Sequence, residues 1–271
     1  MKKLIPVFAA LALAALAGAA QRPPVWQDEF DQPPGTGPDA GRWVHDVGYD
    51  KWGNHEAETY TEARANSFVA TDPAATDGKV LVLRALKTAD GGYTSARIKT
   101  LGKFATKYGR IEARIKVPKG QGIWPAFWML GTNIGEVNWP NCGEIDIMES
   151  VGNRPGVLFG TGHGPGFSGS HCLQNRVQLP AGQALADAYH VYAVDWSPGK
   201  VEWSFDGRVY HHLTPADLPK GARWPYDDGP FFILLNLSVG GDWPGYPDAT
   251  TTFPQELRID YVRVYAPATT P

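Results

Sequence analysis

Apolar and polar residues alternate in short runs along this chain. "KVLVLRALK" (79–87), "YGRIEARIKVP" (108–118), "YHVYAVDWS" (189–197) and "ELRIDYVRVYA" (256–266) each repeat with a period of two, the spacing of strands with one buried face. Gly, Pro, Asn and Asp separate the runs. "VEWSFDGRVYHHL" (201–213) predicts a hairpin, because Asp206-Gly207 supplies the positive φ angles of a tight primed turn. "FFILLNLSV" (231–239) is almost continuously apolar and predicts a strand buried on both faces. No stretch of ten or more residues has a convincing helical period, and one short helical turn is expected near "TPADLP" (214–219). The pattern predicts an all-β sandwich of two packed antiparallel sheets. If one sheet curves, its outer face becomes a groove.

One segment breaks the alternation. "NCGEIDIMESVG" (141–152) carries Glu144, Asp146 and Glu149 at i, i+2 and i+5. On a helix they would lie at about 0°, 200° and 140°, with apolar residues scattered between them, so no polar face forms. On a regular strand Glu144 and Asp146 share a face while Glu149 points into the core, where an ionised carboxylate without a partner is too costly. Either the strand ends before Glu149, or an extra residue at Ile147 or Met148 forms a bulge that restores the phase. The spacing leaves three chemistries open: a solvated strand edge, a divalent-cation set, and the carboxyl pair that glycosidic hydrolysis requires. In the last case a third carboxyl close by would help to keep one Glu protonated while the other stays ionised.

The chain opens on "MKKLIPVFAALALAALAGAAQ", two lysines, an apolar run and small residues, the layout of a secretory signal peptide over 1–20. Export to the periplasm or medium is expected. A membrane anchor is not, and no second apolar stretch has the length of a spanning helix. About 250 residues remain (21–271), without a linker or repeat, which favours one domain. The 31 Gly, 23 Pro and 10 Trp indicate many turns and an aromatic-rich surface. Net charge is only −3 and the basic residues are dispersed, so a nucleic-acid partner is not expected. Cys142 and Cys172 can form a bridge in an exported protein or remain buried thiols; without a close His pair they make no zinc site.

Aromatic residues favour a sugar chain as the ligand. Trp124 and Trp128 lie in "GQGIWPAFWMLG", Trp139 just before the acids, and Trp243 in the Gly/Pro loop "VGGDWPGYP". Indole faces stack on sugar C–H groups while carboxylates take up the hydroxyls.

With these residues the chain resembles glycoside hydrolase family 16, specifically its bacterial laminarinase-like branch, from "WQDEF" to "DYVRVY" (core about 25–266). The motif E-x-D-x-x-E is matched by Glu144, Asp146 and Glu149, and "YTSARI", "YGRIEARIKVPKGQGIWPAFWMLG", "AVDWSP" and "LNLSVGGDWPG" also look like the family. The resemblance implies a concanavalin-like jelly roll of two curved sheets with a concave substrate cleft. It implies a retaining endo-β-1,3-glucanase acting on laminarin-like or mixed β-1,3/1,4 chains, with Glu144 as nucleophile, Glu149 as acid/base and Asp146 orienting the pair. Trp124, Trp128 and Trp243 would line sugar subsites, Asn54 and Glu56 would contact hydroxyls, and Arg97 and His163 would flank the reacting ring. No cofactor is implied for catalysis. A structural calcium ion is implied at Glu29, Gly78 and Asp260, against a simple pairing of Asp260 with an arginine such as Arg258. A monomer is expected. The same machinery on another polysaccharide, of β-galactan type, and a non-catalytic glucan-binding module are the alternatives. Glu58 and Asp242 depart from the family pattern, which has amides there; on the groove face they would alter substrate preference or pH optimum.

Overall fold

Residues 23–267, which the computed structural model describes, contain seventeen strands; the leader at 1–20 lies outside them. In chain order the first nine are β1 (Trp26–Asp28), β2 (Val44–Asp46), β3 (Glu58–Tyr60), β4 (Ser67–Thr71), β5 (Lys79–Lys87), β6 (Tyr93–Ser95), β7 (Arg97–Lys99), β8 (Gly109–Lys116) and β9 (Ile123–Gly131). One helical turn follows, α1 (Ile134–Val137). Then come β10 (Glu144–Glu149), β11 (Val157–His163), β12 (Leu173–Gln178), β13 (His190–Ser197), β14 (Lys200–Phe205), β15 (Arg208–Leu213), β16 (Phe231–Val239) and β17 (Gln255–Tyr265).

They form two sheets. Ten strands run in the order β15-β14-β13-β8-β17-β5-β6-β3, with β1 on β17 and β4 on β5; seven run β12-β11-β10-β9-β16-β7-β2. Pairing is antiparallel except between β3 and β6. The core lies between the sheets and takes alternate residues from each: Ile123, Phe127 and Met129 of β9 and Ile233, Leu235 and Leu237 of β16 meet Leu81, Leu83, Ile111 and Ile259. Each such side chain, fully buried, contributes about 1.5–3 kcal/mol.

Period-two patterning therefore locates the layers, and local details agree. The 201–213 segment is a hairpin with Asp206 at φ 47° and Gly207 at φ 76°. The helical turn near 214–219 is Pro215–Asp217. All nine residues of β16 are buried. Its even-numbered positions are covered outside the sandwich, Phe232 and Leu234 by a small cluster with Leu130 and Cys142.

The cysteines and the implied calcium ligands have other neighbours. Cys142 and Cys172 are free thiols: Cys142 packs in that outer cluster, while Cys172 follows the turn at Gly169–His171. Burial pushes both thiols up to about 11, so neither is a thiolate at neutral pH. The implied calcium ligands are also engaged otherwise. Asp260 accepts from Thr76 and from the Arg114 guanidinium, and Glu29 forms a two-pronged pair with Arg263. Each carboxylate already holds a cation, so the residues around Gly78 do not fit a calcium ion. The arginine on Asp260 is Arg114; Arg258 pairs with Asp72 and Glu256.

Candidate active site

The outer face of the seven-stranded sheet carries the acids, and a bulge places them there. Opposite β9, Asp146 pairs with Trp128 and Met148 with Phe127, so Ile147 is the extra residue. The register against β11 shifts over the same span. Ile145, Ile147 and Met148 all point into the core. Two consecutive inward residues return Glu149 to the face of Glu144 and Asp146.

A contact through the core supports this kink. Trp203 of β14, fully buried in the opposite sheet, donates its indole N–H to the main-chain carbonyl of Asp146 at 2.8 Å. Gly160 of β11 makes room for it, since a Cβ there would lie 2.7 Å from the Trp203 ring.

Each acid has a fixed donor or neighbour. Trp124 donates to Glu149 at 3.0 Å and Trp139 to Glu144 at 2.7 Å. His163, opposite Glu144 on β11, sets Nε2 3.8 Å from Glu144 and 3.1 Å from Asp146 Oδ2, the latter off the hydrogen-bond direction. The Gly169 backbone N–H donates to His163 Nδ1 at 3.2 Å, so the ring proton sits on Nε2, toward the carboxyls. Glu144, Asp146 and His163 could present ligand atoms within 4.8 Å of one another to a metal. With that proton inward, the set acts instead as a hydrogen-bonded cluster.

Burial decides the ionisation states. Desolvation, followed by the charge of Glu144 and a hydrogen bond to it, holds Asp146 well above the carboxylate range. Desolvation, followed by the charge of Asp146, does the same to Glu149, against weaker opposing effects of His163 and the Trp124 N–H. Both effects favour the protonated form of Asp146 and Glu149 over that of an exposed carboxyl.

The other sugar-contact candidates line the same face. Trp124 meets Trp243 edge to face at 5.3 Å, and Phe159 packs on Trp243. Trp128 donates to Asn236 at 2.7 Å. Arg97 lies on the same sheet on β7, three strands from β10, about 14 Å at the usual strand spacing. Its guanidinium lies over the Trp128 ring at 4.8 Å and the Trp52 ring at 5.0 Å, paired with Asp46. Asn54 donates to Glu56, which is buried and also accepts from Tyr60 and Ser238. Glu58 is fully buried, and Asp242 is exposed with its Oδ2 2.8 Å from His55 Nδ1.

An aromatic-lined face with a buried proton-donor carboxyl beside a second carboxyl is the equipment of a glycoside hydrolase. The family model for glycosyl hydrolases family 16 matches residues 59–263. The chain belongs to family 16. A β-glucanase of Rhodothermus marinus is 40% identical over 89% of this chain and 84% of its own length. The glucan endo-1,3-β-glucosidase A1 of Niallia circulans is 35% identical over 89% of this chain, which spans 37% of that longer relative. Among solved structures, the laminarinase catalytic domain from Thermotoga maritima MSB8 superposes with a TM-score of 0.82 at 45% identity, covering 91% of this chain and 98% of that one. The two-sheet architecture is thus the family 16 jelly roll.

Several site residues escaped the sequence reading. Trp52 sits in "KWGN", a glycine-flanked loop of the kind that singled out Trp243, and the same signal would have found it. Trp139 stood out only as an aromatic before the acids, without its bond to Glu144. Trp203, Tyr60, Asn236 and Ser238 had no signal, because each sits in a run that reads as ordinary strand.

Proposed function

We propose that this protein is a secreted endo-acting β-1,3-glucanase that hydrolyses laminarin-like or mixed β-1,3/1,4-glucans with retention. One observation carries the reading: the bulge at Ile147 brings Glu144, Asp146 and Glu149 to one aromatic-lined face of a family 16 sandwich. Glu144 attacks the anomeric carbon as nucleophile and forms a glycosyl ester. Glu149, protonated through its burial, gives its proton to the leaving glycosidic oxygen. As a carboxylate it then takes a proton from the water that hydrolyses the ester, which restores both groups. The proton between Asp146 and Glu144 stays on Asp146, whose O–H donates to the Glu144 carboxylate and leaves it free to attack, and His163 Nε2–H faces the same carboxyls.

Trp124, Trp128 and Trp243 provide flat faces for sugar rings, and Asn54 lies where hydroxyls pass. A monomer is the expected working unit. The leader at 1–20 supports export.

The test is reducing-end release from laminarin, lichenan and agarose by the purified protein. Release from laminarin is expected; none from any of the three would refute the assignment. Glu144→Gln should lower turnover by about 10³-fold or more while oligosaccharide binding persists.

A further inference from the structure

Beside the catalytic cluster, the same end of the fold buries a second pair of carboxyls. Glu58, the first residue of β3, has no exposed surface, and Glu56 has almost none. Glu58 Oε2 accepts the Val239 backbone N–H at 2.7 Å. Its Oε1 is buried with no donor, and its carboxyl is in hydrogen-bond contact with that of Glu56. Glu56 already accepts from Asn54 at 3.2 Å, Tyr60 at 3.1 Å and Ser238 at 2.8 Å. Two ionised carboxylates in that contact would repel with no donor between them. A proton on Glu58 Oε1 turns the orphaned acceptor into a donor to Glu56 and resolves both problems.

We propose that Glu58, as a neutral carboxylic acid donating to Glu56, is a positioning residue that holds the Trp128 sugar platform. The path is continuous. Glu56 holds the Ser238 hydroxyl, Ser238 accepts from the Asn236 amide at 2.9 Å, and Asn236 Oδ1 accepts the Trp128 indole N–H at 2.7 Å. Trp128 in turn forms one face of the Trp52–Arg97–Trp128 stack. Its role as a sugar platform rests on the glucanase reading; the proton on Glu58 does not.

The groups around Glu58 favour the neutral form. Glu56 on the loop before β3 brings a negative oxygen toward it, Tyr60 on β3 spends its hydroxyl proton on Glu56, and Val239 of β16 supplies a single N–H. Arg97 of β7 is committed to Asp46 of β2, and His55 to Asp242. Desolvation and the neighbouring Glu56 hold Glu58 well above the usual range. Loss of its proton at alkaline pH would set two buried carboxylates against each other and loosen the path to Trp128.

The Glu144→Gln background reads binding without hydrolysis, through tryptophan fluorescence with a β-1,3-gluco-oligosaccharide. Its Kd should rise about tenfold from neutral to alkaline pH, the loss of one buried hydrogen bond to a charged group. Adding Glu58→Gln should flatten that rise, because the amide offers the same donor to Glu56 and the same acceptor to Val239 at every pH. Adding Glu58→Met, which has no donor, should weaken binding by a similar factor already at neutral pH. A flat Kd in the background, or an equal rise with Glu58→Gln, would overturn the proposal. Absence of glucan binding at all pH values would instead overturn the glucanase reading. The proton is then read directly: the infrared carbonyl band of a protonated carboxyl should disappear in Glu58→Gln at neutral pH, and an unchanged spectrum would overturn it.

Discussion

Trp203→Phe tests the latch that holds the bulge. The indole is fully buried and its one polar atom bonds to the Asp146 carbonyl. Phenylalanine keeps most of the packing and removes the donor, so the carbonyl is left in the core at a cost of about 1–3 kcal/mol. Trp196→Phe is the matched control. Trp196 is a comparably buried indole of the same core, and its N–H has no partner, so the exchange changes packing alone. For a domain of this size each kcal/mol lowers Tm by about 2–4 °C, which puts Trp203→Phe about 2–12 °C below the control. Activity should separate further. A bulge that shifts the acids by about 1 Å can cost about 10²-fold in rate, so kcat should fall with little change in KM. The measurements are calorimetric Tm and initial reducing-end rates on laminarin. If Trp203→Phe matches Trp196→Phe in both, strand pairing alone holds the bulge and the reasoning fails.

Glu149 should show the opposing demands of stability and catalysis. Its folded pKa lies above the unfolded value, so between the two the native state binds more protons and stability falls as pH rises through that window. Glu149→Gln should therefore raise Tm at neutral pH, with the gain fading at acid pH, while hydrolysis is lost; a lowered neutral-pH Tm would count against burial as the cause. The wild-type rate should decline at alkaline pH as Glu149 loses its proton, and an acid-only limb in the kcat profile would contradict its role as acid. Arg114→Met should destabilise by about 3–5 kcal/mol, because it strands the buried Asp260 carboxylate. A calcium chelator should leave Tm unchanged, and a clear fall would restore calcium to Glu29 and Asp260.

Much of the fold was legible because strand periodicity is local. The runs at 79–87, 189–197 and 256–266 became β5, β13 and β17 with the expected faces inward. The phase conflict at Glu149 was itself a local signal, and it correctly demanded a bulge between Asp146 and Glu149. The distance of Arg97 from the acids was not legible, because distance across a sheet depends on strand order, and β7 pairs with β16 across sequence separations of 135 (Lys99 to Leu234) to 139 (Arg97 to Asn236). The cysteine and calcium alternatives stayed open for a related reason. Whether Asp260 meets an ion or Arg114, and whether two thiols meet at all, depends on which strands and turns become neighbours.

Glu144, Asp146 and Glu149 were identifiable from sequence because their residue types and spacing lie within six positions of one strand. Their working states were not. Desolvation by the folded sheet pushes the Asp146 and Glu149 carboxyls up, and the Asp146 carbonyl at the bulge accepts from Trp203, 57 residues away on the other sheet. Glu58 illustrates the same division. From sequence it was an acid in place of an amide; in the fold it is an acid with no water and a carboxyl for a neighbour. Sequence by itself set the strands, the two faces and the acids of the irregular segment, since these follow from local periodicity and residue type, and the resemblance to family 16 implied their roles. Tertiary structure alone decided partners and protonation, since desolvation and hydrogen bonding arise only when distant segments close around a group.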